Sequence, residues 1–302
     1  MAVQKKQGHH FVPNNSYLKN FADASGKVWV LDRHGKLYQT NPANIFKEGN
    51  FYTVTLKDGG GSLVVENTLA DIEGAFATLY RDKIEKGLPL TPAERAQAAV
   101  FFAALYLRTQ SHREGMRDML GRLHDSMQRW KTMFENNPKA REFAAAVPRS
   151  SDSESIYMED VKDALDNVGE FHTTTMMDSL PEVAQIIFEM KWCFMTAPSG
   201  FEFITSEDPF QILRPESIQK YGARAIGSVP GLNYKDSEVT IPLSSTHAIL
   251  AGWQLDDNFI IEAERELAEQ INIRTLMRAQ DIVAQNRPVL DKIVENARGP
   301  SR

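Results

Sequence analysis

Three residues of this 302-residue sequence pair acid–base or metal-ligating chemistry with a local context that would hold them still: His10, Glu73 and Asp208. His10 opens His10-Phe11-Val12-Pro13, where the proline keeps the step before it extended and so fixes the direction of the neighbouring imidazole. An imidazole held there can act as a base or ligate a metal, or it can simply satisfy a buried carbonyl. Asp208 lies in Ser206-Glu207-Asp208-Pro209, directly after an apolar strand-like run. A carboxylate there can ligate a divalent cation, orient a histidine, or only cap a turn. Glu73 falls among Leu69, Ile72, Phe76 and Leu79 on one helical face, where a charge needs a partner. Arg108 ends a long apolar run and is the candidate partner, either in a structural ion pair or as an anion binder while Glu73 joins Asp208 at a metal.

Two functional readings follow from these residues. In the first, His10, Asp208 and Glu73 are catalytic, His10 and Asp208 hold a divalent metal, and Arg108, Arg113 and Ser206 bind substrate. The chemistry is then metal-assisted or acid–base hydrolysis of a phosphate ester, nuclease-like, with nucleic acid or nucleotide phosphate as partner. In the second, the chain is a non-catalytic binding or regulatory domain working through a basic helix and an acidic C-terminal half. Charge asymmetry feeds both readings: residues 1–150 carry 21 Lys and Arg against 15 Asp and Glu, and residues 151–302 carry 13 against 25. The densest basic stretch, Arg108 to Lys131, also contains His112 and His124, and reads either as a solvated helical face or as a phosphate-binding surface.

Other chemistries fall away. The single cysteine, Cys193, lies between Trp192 and Phe194 in an apolar strand and reads as an inert buried thiol, and one cysteine makes no intramolecular disulfide or multi-cysteine metal site. Gly59-Gly60-Gly61 lacks the Gly-Lys-Ser/Thr of a P-loop and reads as a loop, and neither a Gly-x-Ser-x-Gly elbow nor a His-Glu-x-x-His helix is present. The N-terminal residues show no signal-peptide pattern and the longest apolar run, Ala98 to Leu107, is far short of the ~20 residues of a membrane span, so a cytoplasmic protein with no membrane partner is expected.

The elements that must position these residues come in three blocks. Asn14–Phe21 reads as a short helix, Val28–Leu31 and Leu37–Tyr38 as a hairpin turning at Gly35, and Phe51–Leu56 as a further strand. From Glu66 the period becomes helical, and Thr91-Pro92-Ala93-Glu94 is a capping box that starts a helix expected to run through Arg108 into the basic stretch. Residues 138–157 read as a linker and Met158–Leu180 as helix. Trp192–Met195, Phe201–Ile204, Val239–Leu243 and Ala248–Trp253 read as strands, and Asn258–Gln285 as a closing helix, with no internal repeat or sustained heptad run. His9 is expected to be exposed. The whole predicts an α+β fold: one helix-rich large domain with short antiparallel strands at the N-terminus and in the C-terminal half, divisible into lobes 1–137 and 158–298.

His10-Phe11-Val12-Pro13 followed by Tyr17-Leu18-Lys19-Asn20-Phe21 resembles the opening of the prokaryotic domain-of-unknown-function family 4238. Further matches run in order through Val28-Trp29-Val30, Ile72-Glu73, Arg108-Thr109, Phe203-Ile204-Thr205-Ser206 with Asp208-Pro209, and Ile241-Pro242-Leu243-Ser244. The first motif is one residue longer here than is usual, and Glu207 stands ahead of Asp208 where the family has Ser-Asp-Asn-Pro. The resemblance covers most of the chain; it supports the fold and implies no particular reaction.

Overall fold

The helix that forms the centre of the molecule, Pro92–Leu107, starts at the capping box foreseen from sequence: Thr91 Oγ1 accepts from the Glu94 amide at 3.3 Å, and Glu94 reaches back to the Thr91 amide at 2.8 Å. In this computed structural model, which describes residues 8–49, 51–52, 64–139, 142, 157–214, 220, 231–255 and 259–298, that helix is apolar on nearly every side because it is surrounded. Phe101 stacks on Phe76 with centroids 3.8 Å apart, and Phe102 meets Trp192 edge-on at 5.6 Å.

In chain order the strands are β1 (Gly8–His10), β2 (Val28–Leu31), β3 (Leu37–Thr40) and β4 (Lys47–Gly49). The helices α1 (Val64–Leu79), α2 (Pro92–Leu107), α3 (Gln110–Asn136), α4 (Met158–Asp166) and α5 (Val168–Glu189) follow. The C-terminal half contributes β5 (Lys191–Thr196), β6 (Thr205–Ser206), β7 (Gln211–Leu213), β8 (Glu238–Pro242), β9 (His247–Gly252) and β10 (Phe259–Glu262), then α6 (Arg265–Leu276), β11 (Ile282–Ala284) and α7 (Arg287–Arg298). The fold is α+β. One sheet has the order β10-β5-β9-β8-β7, antiparallel except where β10 joins β5 in parallel. A second, β3-β2-β11-β6, interleaves the N-terminal hairpin with strands from the far end of the chain, Val30 facing Val283 and Val283 facing Thr205. One apolar cluster runs from Phe11 to Val283, so residues from both expected lobes share it.

Several elements differ from the sequence reading, each for a local reason. The helix does not run through Arg108: Arg108 has left helical geometry (φ −91°, ψ 1°), and Thr109 caps a new helix by accepting from the His112 amide at 3.3 Å. Met158–Leu180 is likewise two helices, parted at Asn167 (φ −114°, ψ 37°). Asn258–Gln285 is two strands flanking α6, because β-branched Ile260–Ile261 and Ile282–Val283 find sheet partners. Of the first motif only Leu18–Phe21 is helical, as a 3₁₀ turn; Phe201–Ile204 stays outside the sheets and only Thr205–Ser206 pairs. Phe51 and Tyr52 form a turn, while residues 53–56, Gly59–Gly61 and nearly all of the 138–157 stretch lie outside the described residues. No helix of the described residues is long and apolar enough to cross a membrane.

Candidate functional site

Glu73 and Arg108 meet, but as a structural knot. Arg108 is buried and donates to Glu73 Oε1 at 2.6 Å, to the Tyr52 hydroxyl at 2.9 Å from Nε, and to the carbonyl of His10. Burial works against its charge, and Tyr52 and Glu73 more than offset this, so the guanidinium stays protonated. Ser16 donates to the other Glu73 oxygen at 3.5 Å. With each of its three nitrogens donating inside the protein and its side chain buried, Arg108 ties α1, α2 and β1 together.

His10 lies beside this knot. Burial, then the charges of Lys47 and Arg108, hold its pKa below the usual histidine value, and its Nδ1 is enclosed without a hydrogen-bond partner. His9, expected at the surface, is buried instead: its Nδ1 accepts from the Tyr52 amide at 3.1 Å and its ring stacks on Tyr52. Arg113 is clamped by two bonds to Glu48, at 2.7 and 3.1 Å, over the face of Phe51. Ser206 is fully buried, its hydroxyl bridging the Asp208 carbonyl and amide, so it shapes a turn. Glu207 accepts from the amides of Gln280 and Asp281, joining that turn to the entry of β11. Among the described residues no group of three His, Cys, Asp or Glu could share a metal ion, so His10, Glu73 and Asp208 do not assemble one; Arg108 and Ser16 already occupy Glu73.

Asp208 opens on a different constellation. The turn holds its backbone, with Gln211 also donating to its carbonyl, and its carboxylate accepts from Ser111 Oγ at 2.9 Å. Burial raises the Asp208 pKa, opposed by the Ser111 bond and the charge of Arg278. Ser111 and His112 occupy the first turn of α3 because the chain breaks at Thr109, which also lies 3.0 Å from Ser111 Oγ. Burial depresses the His112 pKa; its Nδ1 is enclosed and unpartnered, which leaves Nε2 as the nitrogen a water can reach. Tyr106 stands edge-on to the His112 ring at 5.3 Å and tilts against Phe210 at 4.8 Å.

These groups line one cavity of about 370 Å³, together with Thr109, Gly115, Met116, Met119, Arg122 and Arg278; His10 is not part of its wall. Arg122 and Arg278 are exposed at its rim and form no ion pair among the described residues. Apolar walls with a few converging polar groups are the usual make-up of a small-molecule site. Of this wall, the sequence reading names Asp208, Thr109 and His112, and its basic stretch Arg108 to Lys131 takes in Arg122. The Thr109-x-x-His112 cap at the end of the apolar run was the available signal for Ser111 and His112, and nothing local marks Arg278.

The family model described as Protein of unknown function (DUF4238) matches residues 8–288. The chain belongs to that family. The match spans both the Arg108 knot and every residue of the cavity wall, so the whole site lies within the DUF4238 region. No curated protein and no solved structure matches the chain.

Proposed function

We propose that this protein hydrolyses a phosphate ester by general acid–base chemistry in the Asp208 cavity. The observation that carries this reading is the placement, in one accessible cavity, of a carboxyl with a raised pKa and an imidazole with a lowered one, with two arginines at the rim. Environments that push two pKa values in opposite directions prepare an acid and a base for one reaction. His112 Nε2 takes a proton from water as its oxygen bonds to phosphorus. Asp208, protonated, gives its proton to the leaving oxygen as the ester P–O bond breaks. Arg122 and Arg278 hold the phosphate oxygens, and Ser111 keeps the Asp208 carboxyl in place. This takes the acid–base branch of the sequence reading and moves the base from His10 to His112.

Turnover of aryl phosphate mono- and diesters and of a single-stranded oligonucleotide, with and without chelator, tests the reading. Asp208→Asn and His112→Ala should each lower kcat by about 100-fold or more at unchanged melting temperature. Arg278→Ala should mainly raise KM. The rate should rise through a limb below the ordinary histidine pKa of 6.5 and fall through one above the ordinary aspartate value of 3.8. Phosphate binding without turnover of any ester would leave the binding-domain reading in its place.

A further inference from the structure

A second cavity, of about 530 Å³, opens beside the first turn of α2 and shares no described wall residue with the Asp208 cavity. One side of it is a short piece of chain shaped by its own residues. Gly87, at φ +65°, turns the backbone after the π-helical turn Tyr80–Ile84, and Pro89 disfavours helical geometry at Leu88, so two leucines flank a fixed step before α2 begins at Pro92. The rest of the wall is Phe188 from the end of α5, Trp192 and Phe194 from β5, which meet edge-on at 6.0 Å, and Ile260 of β10. Leu90, Phe188 and Phe194 rest on the main core with part of their surface left open, while Leu88 and Ile260 are 44% and 41% exposed.

Of the described wall residues only Arg95 is polar, and it is a cation. Its guanidinium lies over the Trp192 indole at 4.0 Å and near the Phe188 ring at 5.6 Å, donating from Nε to the Phe188 carbonyl at 3.1 Å and through a second nitrogen to the Met190 carbonyl. Ring faces and carbonyls fix the cation in place but bring no net negative charge to it. Burial pulls the Arg95 pKa down, and no described carboxylate pulls it back. A neutral molecule filling the cavity would strip water from this guanidinium without answering its charge, and a cation would be repelled. An apolar anion answers the charge and covers the wall at once. The rings of the wall offer edges and faces to a flat aromatic body, and the volume is of the size that holds one small molecule. We propose that this cavity binds a small aromatic carboxylate, its rings against Phe188, Phe194 and Leu90 and its anionic group beside Arg95. The site stands whether or not the Asp208 cavity is catalytic.

Two fluorescent probes with one ring system, the anionic anilinonaphthalene sulfonate and the uncharged phenylnaphthylamine, test the proposal by titration of the full chain. The wild type should bind one sulfonate at micromolar Kd and the amine at least about tenfold more weakly. Naphthoate should displace the sulfonate, and naphthamide should not. Ile260→Trp, which fills the cavity from an exposed strand position at unchanged melting temperature, should weaken sulfonate binding about tenfold or more; Arg122 and Arg278 are untouched in this variant, so the loss assigns the site. Arg95→Gln should bring the two probes within about twofold of each other. Equal affinity for the two probes in the wild type, sulfonate binding indifferent to Ile260→Trp, or a folded Arg95→Gln protein that keeps the preference would each overturn it. Should Arg95→Gln fail to fold, the first two comparisons decide.

Discussion

Replacing Glu73 by Leu would leave the Arg108 guanidinium buried with its charge no longer answered by a carboxylate. Removing one partner of a buried pair costs about 3 kcal/mol, and the expected reading is a lower urea midpoint at an unchanged m-value. His172 makes a complementary case. Its ring is fully buried, it donates from Nε2 to the Leu107 carbonyl at 2.9 Å, and its Nδ1 has no partner. Burial first, then the charges of His112 and Arg113, lower its pKa to about 4, with the Leu107 bond opposing. Because the folded state takes up this proton less readily than the unfolded chain, the stability from a neutral His172 is complete above pH 6.5 and drains away as pH falls toward 4. Unfolding measured across that window should therefore show a loss on the order of 3 kcal/mol, and His172→Leu should flatten the slope. A slope equal in wild type and variant would assign it to other groups.

At the scale of elements, the break between α2 and α3 is what turns Ser111 and His112 toward Asp208. Thr109→Ala removes the cap and is expected to cost about 1 kcal/mol of stability. The same change should reduce phosphate-ester turnover more than that loss explains, because the first turn of α3 carries the proposed base; equal loss in Thr109→Ala and in a stability-matched core variant would contradict this. The capping box at Thr91, the hairpin at Gly35 and the apolar wrap of α2 were legible because each is written in neighbouring residues. The break at Arg108 was less legible, since the residues on both sides have good helical periodicity and one threonine decides it. Asp208 was found as a residue, but its partners were not, because Ser111 lies 97 positions away and only the folded chain brings them together. The strands within Asn258–Gln285 were missed for the same reason: Ile260 and Val283 become strand residues only when β5 and β2 are there to pair with.

Across the whole molecule, the sheet β3-β2-β11-β6 makes the two ends of the chain interdependent. Glu202 adds to this by accepting from the amides of Gln285 and Asn286 at the start of α7, and Tyr17 by donating to the Pro242 carbonyl at 2.6 Å. Trp29 belongs to this sheet and Trp192 to the sheet β10-β5-β9-β8-β7. Fluorescence from single-tryptophan variants retaining Trp29 or Trp192 should therefore follow one denaturant transition, coincident with the loss of far-ultraviolet ellipticity; two separated midpoints would mean that the sheets unfold independently.

The place of β11 also bears on how the chain is made. Synthesis delivers β2 long before its inner neighbour β11, as the Arg33 amide bonding to Asp281 across 248 positions records. Until then the hairpin has an open edge and its backbone donors and acceptors are unmatched, the state most prone to pairing with another nascent chain. Ribosome-arrested chains ending before Ile282 should be protease-sensitive at Val28–Leu31 and should gain protection once Ala284 is free to reach Trp29. For this protein, commitment to the finished sheet waits for the synthesis of Ile282–Ala284.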